Sequence, residues 1–119
     1  MKNFYLAALF AMLASFGLAQ VAVTLQVDMN QQIVSSDGVH VAGGFQGWDP
    51  TATPLNDVDM DGIWEVTLDL PAGMHEYKFI NGMSWDFVED VPPTCQVEVA
   101  GNDNRFIVIA EDQTEISNL

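Results

Sequence analysis

Cysteine and positive charge are what this 119-residue chain most lacks: it has one Cys and three Lys or Arg, against 17 Asp or Glu, for a formal net charge of −14. A single cysteine excludes an internal disulfide, so the fold must stand on its packing, with a metal or a partner as supplements. Cys95 is then buried, free or paired between chains, and its place in an apolar alternation favours burial. The scarcity of cations argues against nucleic acid, anionic lipid and sulfated or uronic polysaccharides as partners, because each would bring like charges together. Neutral ligands carry no such penalty. Acidity also serves solubility in a salty exterior.

Histidine is scarce as well. His40 and His75 stand apart, with no Cys or His at ligand spacing, which argues against a zinc site. A Cys95–His75 nucleophile and base would need an oxyanion hole and a substrate cleft, of which the sequence gives no sign. Carboxylate pairs abound only because the chain is acidic, so they do not point to a glycosidase. The expectation is a protein without catalysis.

Residues 1–19 read as a secretory signal. Lys2 supplies the positive start, Phe4 to Leu18 is an almost unbroken apolar run, and Gly17-Leu18-Ala19 offers small residues for cleavage. The run is short of the ~20 residues needed to span a bilayer, so no stable membrane insertion is expected after cleavage. The expected mature domain is 20–119, secreted or held at the cell exterior or periplasm. Its basic residues are Lys78 and Arg105 alone.

Beyond the leader the chain lacks helical periodicity and alternates instead with period two, the mark of half-buried strands. Val21 to Met29 puts Val21, Val23, Leu25, Val27 and Met29 on one face. Further strands are expected at Val39 to Gly43, Ile63 to Leu70, His75 to Ile80, Met83 to Phe87, Cys95 to Val99 and Arg105 to Ala110, with a frayed tail from Glu111. Loop and turn signals separate them: a polar loop around Ser35-Ser36-Asp37-Gly38, the long loop opened by Phe45-Gln46-Gly47-Trp48-Asp49-Pro50, then Pro71-Ala72-Gly73, Val91-Pro92-Pro93 and Gly101-Asn102-Asp103-Asn104. Asn81-Gly82 is the strongest hairpin signal, since both central residues of a type I′ turn need positive φ. A two-residue turn there pairs Phe79 with Ser84 and Lys78 with Trp85, putting Lys78 and Trp85 on one face and Tyr77 and Phe79 on the other. Seven short antiparallel strands in about a hundred residues predict an all-β, immunoglobulin-like β-sandwich.

Four segments carry a family resemblance: Gly43-Gly44-Phe45-Gln46-Gly47-Trp48; Asp69-Leu70-Pro71-Ala72-Gly73; Glu76-Tyr77-Lys78-Phe79-Ile80-Asn81-Gly82 with Trp85; and Gly101-Asn102-Asp103-Asn104-Arg105-Phe106-Ile107. In order and spacing they resemble the glycogen-binding domain of AMP-activated protein kinase and the modules preceding isoamylase and glycogen-branching catalytic domains. The resemblance covers nearly the whole chain after the leader. It implies a sugar site made of Trp48, Lys78, Trp85 and Asn104. Gln46-Gly47 departs from the Asn-Asn usual in that family, and the surface is more acidic.

The same four residues have a physical reading of their own. A pyranose has an apolar C–H face that packs on an indole, while its hydroxyls need donors and acceptors such as an ammonium and an amide. Against this stands the alternative that Trp48 and Trp85 are core aromatics.

A second constellation is Asp57-Val58-Asp59-Met60-Asp61-Gly62, with carboxylates at alternate positions and a glycine at the bend, like the opening of a calcium loop. Glu65 holds the ninth position, but Leu68 stands where the closing Glu belongs. The competing reading is an acidic hairpin turn, so Asp57, Asp59 and Asp61 are candidate calcium ligands and no other cofactor is expected.

The functional expectation is a secreted, non-catalytic module that binds neutral polysaccharide, in particular α-glucan. The competing reading is an extracellular structural protein that self-associates through its sheet edges or through Cys95. Calcium-dependent adhesion through the Asp57 loop is a third. Convergent, exposed Trp48 and Trp85 favour sugar; buried ones favour the scaffold.

Overall fold

The computed structural model describes residues 20–99, 102–111 and 115–118. The expected leader, 1–19, lies outside the described residues, as does Gly101 of the last expected turn. Among the described residues no helix is long and apolar enough to cross a membrane.

The chain is a β-sandwich of two sheets. Its strands are β1 (Val21–Asp28), β2 (Val39–Gly43), β3 (Ile63–Leu70), β4 (Gly73–Asn81), β5 (Gln96–Val99), β6 (Asn102–Ile109) and β7 (Glu115–Asn118). One sheet has the order β3-β1-β7 and the other β2-β4-β6-β5. β1, β2, β3, β4 and β6 are the five substantial strands, while β5 and β7 span four residues each and lie at sheet edges.

Period-two alternation places the core between the sheets. Val21, Val23 and Leu25 of β1 face Val39 and Val41 of β2, Tyr77 and Phe79 of β4, and Ile107 and Ile109 of β6 in one buried cluster. Burying a Val or Leu side chain of this kind contributes about 1.5–3 kcal/mol, so a dozen such residues can support the fold without a disulfide. The outer face of β1 and β3 is polar: Thr24 and Thr67 share a 2.9 Å hydroxyl contact, and Gln26 Nε2 donates to Glu65 at 2.8 Å.

Four expectations of strand layout are corrected. Met83 to Phe87 is not a strand. Asn81 lacks the positive φ of a type I′ turn and instead closes β4 opposite Val39. Its amide accepts from Ser35 N–H and donates to the Ile33 carbonyl, both at 2.8 Å, so a distant loop claims the residue that the turn needed. The chain then forms a 3₁₀ turn at Trp85–Phe87, capped by Ser84 Oγ accepting from Asp86 N–H, and returns only at the Ile80–Val88 bridge. The second correction is β7, which lies in the tail expected to fray and pairs parallel to β1, so the strands are not all antiparallel. The third is at Cys95, which belongs to a 3₁₀ turn at Pro93–Cys95 and is half-buried rather than buried; β5 starts one residue later. The fourth is β6, which begins at Asn102 and puts Asn104 within a strand.

Candidate functional site

The core alternation of β4 and β6 decides what stands on the outer face of their sheet. With Tyr77, Phe79, Ile107 and Ile109 turned inward, Lys78 and Asn104 turn outward. The β4–β6 register runs as far as Tyr77 opposite Arg105, and beyond it the two strands splay. The segment after the Trp85 turn occupies β6's place beside β4: Phe79 N–H donates to Glu89 Oε2 at 2.8 Å, and Glu89 N–H donates to the Phe79 carbonyl at 3.0 Å. Arg105 holds that segment down. Its Nε lies 2.9 and 2.8 Å from the two Glu89 oxygens, one of its terminal amino groups lies 2.8 Å from Oε1, and the guanidinium sits over the Phe79 ring. The Glu89 carboxylate keeps the Arg105 guanidinium above its ordinary pKa.

Trp48 reaches the same face from the loop after β2. Gly43 to Gln46 makes a tight turn, followed by Gly47 at φ 73° and Trp48 at φ 57°. A tryptophan in the left-handed region is strained by roughly 1–3 kcal/mol and stays there only when its surroundings hold it. Gln46 supplies much of that hold. Its Oε1 accepts from Asp49 N–H at 2.7 Å and Gly43 N–H at 3.3 Å, and its Nε2 donates to the Asp49 carbonyl at 2.7 Å, Thr53 Oγ1 at 3.1 Å and the Val41 carbonyl at 3.3 Å. Trp48 N–H donates to the Gly43 carbonyl at 2.9 Å. Asp49 adds an Asx turn: the backbone N–H and then the hydroxyl of Thr51 hold its carboxyl below the usual carboxylate range.

Trp48, Lys78, Trp85 and Asn104 therefore meet, with Val88, around one open cavity of about 460 Å³. The two indole centroids are 6.3 Å apart and their planes are inclined by 39°. Trp85 is 42% exposed and Trp48 half-buried, while Asn104 lies deeper, at 7% exposure. Lys78 is half-buried opposite Ala42 of β2 and makes no ion pair among the described residues. The expected pairing of Lys78 with Trp85 across a two-residue hairpin does not occur; the 3₁₀ turn brings Trp85 to the cavity by another path. Sequence reasoning missed Val88 and Gln46. The Ser84-x-Asp86 spacing was a signal for a capped turn, whereas Gln46 registered only as a departure from the resembled family.

Asp57, Asp59 and Asp61 come together in the loop before β3, with one ligand oxygen from each within 4.8 Å of the others. The loop already closes on itself. Asp57 accepts from Asp61 N–H at 3.2 Å and Gly62 N–H at 3.0 Å, and Asp61 accepts from Ile63 N–H at 2.9 Å. The Ile63 N–H holds Asp61 below the ordinary carboxylate range, while partial desolvation and then Asp61 and Asp57 hold Asp59 above it. Glu65 stands on β3 and accepts from Gln26, and Leu68 is half-buried on the same strand. Elsewhere, the His75 ring contacts the Pro71 carbonyl at 2.7 Å, and His40 is buried in β2.

A family model described as the glycogen recognition site of AMP-activated protein kinase matches residues 31–115. No curated protein matches the chain.

Proposed function

The chain belongs to the glycogen-recognition family of AMP-activated protein kinase, and on that premise we propose that it is an exported, non-catalytic module that binds neutral α-glucan. The supporting observation is the open pair of indoles, Trp48 and Trp85, on a face shared with Lys78 and Asn104. Two inclined rings offer apolar surfaces to the C–H faces of successive sugars, while the ammonium and the amide meet their hydroxyls. Trp85 is too exposed to serve as a core anchor, which favours this reading over the bare scaffold. The cavity is open, so much of the ligand stays hydrated and affinity is modest. The surplus of carboxylates turns away anionic polysaccharides and leaves neutral ones unopposed.

Retention of the protein on glycogen, linear α-1,4-glucan and β-linked glucan tests this. Binding to the α-linked polymers, with competition by soluble maltooligosaccharide, is the expected result. Retention on none of the neutral glucans overturns it.

A further inference from the structure

The outer face of β4 and β6 continues past the cavity. The register sets Glu76 opposite Phe106 and Met74 opposite Val108. The alternation that sends Ile107 and Ile109 into the core turns Phe106 and Val108 away from it. The result is apolar and open: Phe106 is 41%, Met74 49% and Val108 59% exposed. Phe106 follows Asn104 by two residues on the same face of β6, a displacement of roughly 6.6 Å along the strand.

We infer that Phe106, with Met74 and Val108, continues the carbohydrate site, so that a linear glucan longer than the Trp48–Trp85 cavity runs on along β4 and β6 and sets a further pyranose on the Phe106 ring. This rests on the glucan-binding reading of the cavity and adds to it the length and direction of the ligand. The face is in line with the cavity on the same two strands, so a chain leaving Lys78 and Asn104 meets Phe106 next. The occupant must be neutral and able to cover both apolar and polar surface, because Glu76 sits among the apolar side chains. Glu76 Oε1 is buried with no hydrogen-bond donor among the described residues, so rotating it out toward a sugar hydroxyl sacrifices no existing bond. A second copy of the chain is the poorer occupant, since two bodies of net charge −14 repel each other.

Affinities of wild type, Phe106→Ala and Phe106→Trp for maltotetraose and for a long linear α-1,4-glucan test the inference, alongside sedimentation of each protein. Wild type binds the long chain more tightly than maltotetraose. Phe106→Ala loses about two- to tenfold in affinity for the long chain, the range set by one aromatic stacking contact, with maltotetraose affinity and melting temperature unchanged. Phe106→Trp restores the long-chain affinity. A wild type that binds maltotetraose but gains nothing with length overturns the inference and leaves the cavity reading standing. Binding of neither sugar removes both. Self-association that Phe106→Ala abolishes assigns the face to a second copy and overturns the inference too.

Discussion

Trp48 and Trp85 meet at 6.3 Å between ring centroids and 39° between planes, although one follows β2 and the other follows β4. Each is positioned by a different device. Trp48 stands on a left-handed backbone held by Gln46, and Trp85 opens a Ser-capped 3₁₀ turn fastened to the sheet through Glu89 and Arg105. The rings are inclined rather than stacked face to face, which leaves indole surface open to a ligand.

Removing one wall of this cavity separates binding from folding. Trp85→Ala and Lys78→Ala each weaken α-glucan binding by about tenfold or more, through lost stacking and lost apolar contact in the first and a lost donor in the second. Melting temperature moves little, since Trp85 is exposed and Lys78 is unpaired among the described residues. Calorimetric titration and thermal melts check both. Unfolding of Trp85→Ala marks it as a core residue, and unchanged binding in both variants removes the site.

Gln46 carries a prediction that spans stability and binding. Gln46→Ala strips five hydrogen-bond contacts from the loop, leaving the N–H of buried Gly43 without this acceptor and the backbone of exposed Asp49 to water, and costs about 1–3 kcal/mol in chemical denaturation. It also frees Trp48 to leave its strained backbone, so glucan affinity falls although Gln46 does not line the cavity. Wild-type affinity in a destabilised Gln46→Ala shows that Trp48 holds its place without this residue.

Arg105 and Glu89 act on the other tryptophan. Glu89→Ala leaves the guanidinium and the Phe79 N–H without their acceptor in a partly buried place, a loss of about 2 kcal/mol. Arg105→Lys does not restore it, because an ammonium cannot meet both Glu89 oxygens as the planar fork does. The Trp85 segment loosens in both variants, seen as faster amide exchange at Val88 and Glu89. Exchange unchanged from wild type excludes the clamp.

Much of the sandwich was legible because its strands obey a two-residue period. β1 and β3 alternate cleanly, and their inward residues are the ones found buried or packed on the core. The segments around Trp48, Lys78, Trp85 and Asn104 were legible as a set because each carries a local motif. The route that joins them was not. Asn81-Gly82 has the composition of a hairpin, but contacts with Ser35 and Ile33, far away in sequence, decide its backbone. β7 was hidden for a similar reason: four residues around a single Ile116 give too short an alternation to read, and only its pairing with β1 makes it a strand. Gln46 bonds to residues from Val41 to Thr53, which no local pattern announces.

The acidic loop before β3 yields a prediction of opposite sign to most carboxylates. A raised native pKa, as at Asp59, means that the charged form is disfavoured in the fold, so the cost is absent below the ordinary carboxylate pKa and complete above the raised one. Asp61 runs the other way: its lowered pKa adds stability above the ordinary value, lost as pH falls through the native one. Asp59→Asn therefore raises the melting temperature slightly at neutral pH, and the gain over wild type vanishes in acid as Asp59 takes up its proton. Calcium relieves the same repulsion, but Leu68 leaves out the closing carboxylate, so the wild-type melting temperature rises only slightly between chelator and millimolar calcium. That rise disappears in Asp59→Asn. A large calcium-dependent rise shows instead that the three aspartates close a real site without the missing Glu, and a melting temperature lowered by Asp59→Asn at neutral pH reverses the assigned sign.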